Sequence, residues 1–204
     1  MIGSALTGLA LGILAGLDPA TEIRSETICA AETTAPASTP ETRLAYRDLG
    51  PADGRPVLLI AGTDQQMGQW PTDLLTGLRE AGHRVILYEA RDVGCSSHHV
   101  DAGPIDWGAV FAAMGAGSPP PLAYDLPVLS ADAVAVLDHL GLARADVVGV
   151  SGGATVAGEV AAAHPDRVGR LVLVMANSGN PTRPMPARPE RMAAVPPPPP
   201  AGAD

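Results

Sequence analysis

The chain is short of positive charge, of cysteine and, in its last quarter, of histidine. Only 13 Lys and Arg stand against 22 Asp and Glu in 204 residues, for a formal net charge of −9, and the cations are scattered. Such a surface draws in neither a nucleic-acid backbone nor an anionic membrane, so no nucleic-acid partner is expected. The two cysteines, Cys29 and Cys95, form no C-x-x-C pair and no zinc-ligand spacing. That argues against a structural metal and against a disulfide framework. What the chain does have is apolar mass: 46% hydrophobic residues against 17% charged ones, enough for one sizeable core.

Residues 1–41 differ from the rest. "MIGSALTGLALGILAGL" runs 17 residues without a charge, and a Thr/Pro/Ala-rich stretch resembling a linker follows it. The apolar run reads in three ways. It is a signal peptide cleaved after Ala31 that lacks the basic n-region, a short membrane anchor with Gly8, Gly12 and Gly16 in overlapping G-x-x-x-G, or a weakly structured extension. The last is favoured, and with it a cytoplasmic location over export.

From Thr42 apolar strands and helical patterns alternate. "TRLAYRDLG" and "RPVLLIAG" read as strands joined by the turn "PADG", with Asp53-Gly54 as turn residues. "PTDLLTGLREAG" reads as a helix, "RVILYEA" as a strand, "LSADAVAVLDHLGL" as a helix, "ADVVGV" and "RLVLVMA" as strands. This alternation predicts an α/β class, a mostly parallel sheet flanked by helices, over residues 42–180. Functional groups then belong in loops at the carboxyl ends of the strands. A Pro-rich tail follows at 181–204, with five prolines at 196–200 that favour polyproline II.

The stretch "VVGVSGGATVAGEVAAAHP" carries the chemistry. Gly149, Ser151 and Gly153 satisfy G-x-S-x-G between a β-branched run and a helical one. In such an elbow the serine sits strained and exposed at a strand-to-helix turn, and glycines are needed where the strand and helix crowd together. The helix N-terminus beneath it favours an anion, as the oxyanion of acyl transfer requires. The plainer alternative is a serine that only caps the helix.

Four blocks, "LLIAGTDQQMGQWP", "RVILYEARDVGCSS", "YDLPVLSADAVAVLDHLGLARADVVGVSGGAT" and "NSGNPTRPMPARPERMAAVPPPP", together resemble the α/β-hydrolases related to aclacinomycin methylesterase, from about Thr42 to Pro200. The resemblance implies a cofactor-independent serine hydrolase of small-molecule esters. It implies Ser151 as nucleophile and the backbone N–H groups of Thr63 and Gly152 as oxyanion donors. Relatives often have glycine at the position of Thr63 and methionine at that of Gly152. It also implies that Arg91 and Asp92 brace the loop after "RVILYEA".

A triad in that fold runs serine, acid, histidine, yet only His164 follows Ser151, in a turn expected at the opposite end of the sheet. After "RLVLVMA" no carboxylate stands at the strand tip. The expectation is therefore a fold truncated after the strand that follows the nucleophile helix, with the acid and histidine missing. His98 and His99, on an active-end loop, are the candidates for a displaced base, against the plainer reading of hydrated loop residues. Cys95 reads as a small loop residue. Three functions stay open: an esterase completed by an unexpected base or a second polypeptide, a non-catalytic remnant or binding module, and a haloperoxidase-like perhydrolase. Epoxide hydrolase or dehalogenase chemistry is disfavoured, because those enzymes use aspartate where Ser151 stands. The strand "RLVLVMA" is expected to offer an exposed edge for self-association or for a complementing fragment.

Overall fold

The structure is a computed structural model that describes Cys29, residues 32–99, Gly103 and residues 106–176. The apolar N-terminal run, the assignments made for it and the Pro-rich tail lie outside the described residues. Six strands of the described residues form one sheet: β1 (Thr34–Pro36), β2 (Arg43–Leu49), β3 (Arg55–Ile60), β4 (His83–Tyr88), β5 (Ala145–Val150) and β6 (Val168–Val174). Among the described residues four α-helices accompany them: α1 (Thr72–Glu80), α2 (Trp107–Gly115), α3 (Leu126–His139) and α4 (Gly152–Ala163). Strand order is β1-β2-β4-β3-β5-β6. β4, β3, β5 and β6 run parallel, whereas β1 and β2 join antiparallel at one side.

Period-2 alternation explains how this sheet acquires two cores. Leu58 and Ile60 of β3, with Ile86 and Tyr88 of β4, face α3 and α4 in the larger cluster, alongside Val136, Leu137 and Val160. Their neighbours Val57, Leu59, Val85 and Leu87 face the other way, against Trp70, Leu75 and Leu78 at and within α1. Helices thus cover both faces, as the alternating pattern predicts. α3 begins where Asp125 accepts a hydrogen bond from the Val128 amide at 3.2 Å, a side-chain cap at its N-terminus.

The structure departs from the sequence reading in four places. β2 and β3 are joined by the "PADG" turn, closed by Gly54 N–H to Pro51 O at 3.0 Å, but they are not neighbours. β4 lies between them, pairing antiparallel with β2 and parallel with β3. The linker-like stretch contributes β1, paired Thr34 to Ala45 and Pro36 to Arg43. α2 was not anticipated at all. Cys29 and Cys95 form a disulfide across 66 residues, which overturns the expectation that no disulfide would be present and that Cys95 is merely a small loop residue.

The β5–β6 side is less covered than the rest. β5 alternates buried and half-buried residues, and β6 is exposed from Gly169 onward. Leu171, Val172, Leu173 and Val174 are 38–49% exposed. Among the described residues no strand pairs with the outer side of β6.

Candidate active site

β5 ends at Val150, and the chain turns into α4 through a single residue. That residue is Ser151, with φ 53° and ψ −119°. A positive φ is sterically disfavoured for any residue with a Cβ, and such strain persists only where the surroundings fix it. Here the Ser151 amide donates to the Val174 carbonyl of β6 at 2.9 Å, while the Ser151 carbonyl accepts from Ala154 N–H at 2.9 Å. The side chain makes no capping hydrogen bond to the helix, and the residue is exposed. This removes the reading of Ser151 as a simple helix cap.

The flanking glycines are required by close approach. A Cβ on Gly149 would meet the Gly153 carbonyl oxygen and come within 2.6 Å of the Ala154 Cα. One on Gly153 would run into the carbonyl oxygens of Ile60 and Ala61. β3, β5 and α4 therefore converge at the elbow with no room for side chains, which leaves the serine alone to project from it.

Opposite Ser151 lies the loop after β3. The Gln65 side chain accepts from the Gly62 amide at 2.9 Å, and the Gln65 amide donates to Gly62 O at 3.1 Å, so the loop is folded back on itself. Asp64 takes φ 58° within it. The fold presents Thr63, whose N–H has no hydrogen-bond partner among the described residues. Gly152 N–H, at the first helical position of α4, lacks an intrahelical partner as well. The two groups adjoin, since a Cβ built on Gly152 would lie 3.2 Å from Thr63 N. Free donors at a helix N-terminus beside an exposed hydroxyl can hold a negatively charged oxygen.

The remaining sequence-identified residues lie on the loop after β4. His98 Nε2 is 3.0 Å from Gly94 O, and His99 Nε2 is 3.3 Å from Thr42 Oγ1. Among the described hydrogen bonds neither ring reaches Ser151. The Asp92 carboxylate accepts from the His99 amide. Arg91 is buried and forks onto Asp132, Nε to Oδ2 at 2.7 Å and Nη2 to Oδ1 at 2.8 Å. Its guanidinium carbon also stacks 5.2 Å from the Tyr124 ring centre. Burial first, and then the Asp92 carboxylate, pushes the Tyr124 phenol up from its ordinary value. His164 caps the far end of α4, away from Ser151, and His139 pairs with the Tyr46 hydroxyl at 3.3 Å.

Sequence reasoning missed Glu89. Its buried carboxylate accepts from Cys95 N–H at 2.7 Å and Met67 N–H at 3.2 Å, tying the loop after β4 to the 3₁₀ turn before α1. An acid placed directly after the apolar run "RVILY" was the available signal, as was Asp132 among the apolar residues of "SADAVAVL". No group of three His, Cys, Asp or Glu suited to a metal occurs among the described residues. An open apolar groove of about 590 Å³ runs along the α1 face, between Leu74 and Trp70 on one side and Val172 and Val174 on the other. It does not include Ser151.

A family model described as the alpha/beta hydrolase fold matches residues 55–197. Rhodomycin D methylesterase DnrP of Streptomyces peucetius is 34% identical over 135 residues, covering 66% of this chain and 39% of its own length. A non-heme chloroperoxidase of Streptomyces lividans is 32% identical over 136 residues, covering 66% of this chain and 41% of its own. Among solved structures, a hydrolase from Pseudomonas aeruginosa PA01 superposes with a TM-score of 0.55 at 29% identity, over 70% of this chain and 45% of that one. The chain thus spans about two fifths of the length of the curated relatives it matches.

Proposed function

The chain belongs to the alpha/beta-hydrolase family, and from that premise we propose that it carries the nucleophile half of a carboxylic-ester hydrolase, with Ser151 as the attacking group. The observation that carries this reading is the elbow itself: an exposed, uncapped serine at φ 53°, beside two unpaired amides. Ser151 Oγ adds to the ester carbonyl and its proton passes to a general base. The carbonyl oxygen, now charged, accepts from the N–H groups of Thr63 and Gly152. Collapse expels the alcohol, and water releases the acid from the acyl-serine.

The base does not come from the described contacts of Ser151. We assign it, with its orienting acid, to a second polypeptide that completes the site, since all five histidines of this chain lie within residues 83–164. The likeness to rhodomycin D methylesterase favours a small ester as substrate. A perhydrolase would use the same serine and donors with peroxide in place of water, a reading favoured only by the likeness to the chloroperoxidase.

The test is covalent labelling. Without its base the serine retains only what the oxyanion site and binding supply, about 10³–10⁴ over the uncatalysed rate. A fluorophosphonate should therefore modify the chain slowly, at Ser151 alone, and Ser151→Ala should abolish the adduct in intact-mass spectra. Fast labelling lost in His99→Ala would instead make His99 the base. An adduct that persists in Ser151→Ala would end the proposal.

A further inference from the structure

The Thr63 side chain occupies the volume that a side chain at position 152 would fill. A Cβ built on Gly152 collides with Thr63 Oγ1, while Thr63 N lies 3.2 Å from the same point and Thr63 Cβ 3.5 Å. The hydroxyl therefore rests over the first residue of α4, on the same side as its own amide. Three polar groups meet there: Thr63 N–H, Thr63 O–H and Gly152 N–H. Among the described residues the hydroxyl has no hydrogen-bond partner, and Thr63 is exposed, so a ligand can reach it. The loop is fixed by Gln65, which holds the Gly62 amide and carbonyl, and Thr63 is thereby kept at its tip.

On this geometry, and resting on the reading of Ser151 as nucleophile, we propose that the Thr63 hydroxyl is a third donor to the oxyanion, and that Gly152 lacks a side chain in order to admit it. A hydroxyl has one proton to donate and rotates to suit its acceptor. Directed at a developing negative charge it makes a charge-assisted bond, stronger than one between neutral partners. Since it adjoins both amides, the three donors bear on one oxygen. Thr63 is then a catalytic residue through its side chain as well as its backbone, and Gly152 is a positioning residue for it.

The experiment titrates the full chain with dimethylphosphinate, a tetrahedral monoanion, and follows the backbone amide resonances of Thr63 and Gly152. Both should shift on binding. Thr63→Val, which keeps the shape and removes the O–H, should bind about tenfold more weakly, the scale of one hydrogen bond to a charged acceptor. Thr63→Ser should bind within about twofold of the parent. Gly152→Ala should weaken binding in the parent and have a smaller effect in a Thr63→Gly background, because the collision with Oγ1 is then absent and only the 3.2 Å approach to the residue 63 amide nitrogen remains. Equal affinity of Thr63→Val and the parent would overturn the proposal, and so would a parent whose two amides do not respond to the anion.

A separate arm addresses the nucleophile. Ser151→Ala should bind the anion, yet take up no acetyl group from p-nitrophenyl acetate. A parent chain that binds the anion but never becomes acetylated at Ser151 would remove the nucleophile reading while leaving the three-donor site in place.

Discussion

At the scale of single residues, one strained position and one buried one each hold backbone or loop in place at this end of the sheet. Ser151 keeps its positive φ because β6 and α4 each hold one of its backbone groups. Asp132 does the corresponding work behind the loop after β4. It is 1% exposed and accepts from Arg91 twice, from Ser38 N–H at 2.9 Å and from Ser38 Oγ at 2.6 Å. The pair's desolvation is offset only while both charges and their hydrogen bonds are present. Removing one partner leaves an uncompensated buried charge, a loss of about 3–5 kcal/mol, whereas replacing both with apolar groups is far less damaging. Asp132→Leu should accordingly lower the unfolding free energy measured in urea by that amount, and Arg91→Met in the same chain should recover most of it. A single variant within about 0.5 kcal/mol of the parent would show that the pair is solvated and does not hold the loop.

At the scale of elements, most of what positions the site was legible, because the signals are local. β3, β4 and β5 are short apolar runs bounded by turn residues, α3 is bounded by Asp125 and Gly141, and Gly149, Ser151 and Gly153 encode the elbow in five residues. What escaped is non-local. The "PADG" turn reports a reversal, and nothing within it says that β4 will insert between the strands it joins. β1 is three residues of a Thr/Pro/Ala-rich stretch, and its pairing depends on β2 being next to it. The Cys29–Cys95 bond spans 66 residues and has no spacing signature.

That bond ties the segment before β1 to the loop held by Glu89. Closing a loop of this length restricts the unfolded chain by about 4 kcal/mol on the chain-entropy account. A Cys29→Ser, Cys95→Ser double variant should be less stable by roughly that much in urea, and reductant should shift the parent to match it. If the midpoints coincide with and without reductant, the crosslink contributes nothing.

At the scale of the whole molecule, the sheet formed by the described residues is finished on one side and open on the other. On the β1 side the outermost strand is only three residues long, Pro36 ends it, and Arg43 reaches back to Thr34. Among the described residues the β6 side has no such protection. Its exposed residues alternate between faces, Val172 and Val174 lining the groove beside Leu74 and Trp70, and Leu171 and Leu173 on the opposite face. A flat, apolar, β-branched edge is a template for another strand, and a charged side chain is the ordinary means of blocking one. β6 is also the strand whose Val174 carbonyl holds the Ser151 amide, so whatever pairs with the edge steadies the elbow. The purified chain should therefore run on size-exclusion chromatography as a dimer or larger species, and Val172→Lys with Val174→Lys should return it towards a monomer. A fragment supplying a complementary strand should compete with self-association and sharpen the labelling of Ser151. A cooperative monomer indifferent to both lysines would mean that the β6 edge is already covered by residues outside 29–176, and the predicted self-association would then be abandoned.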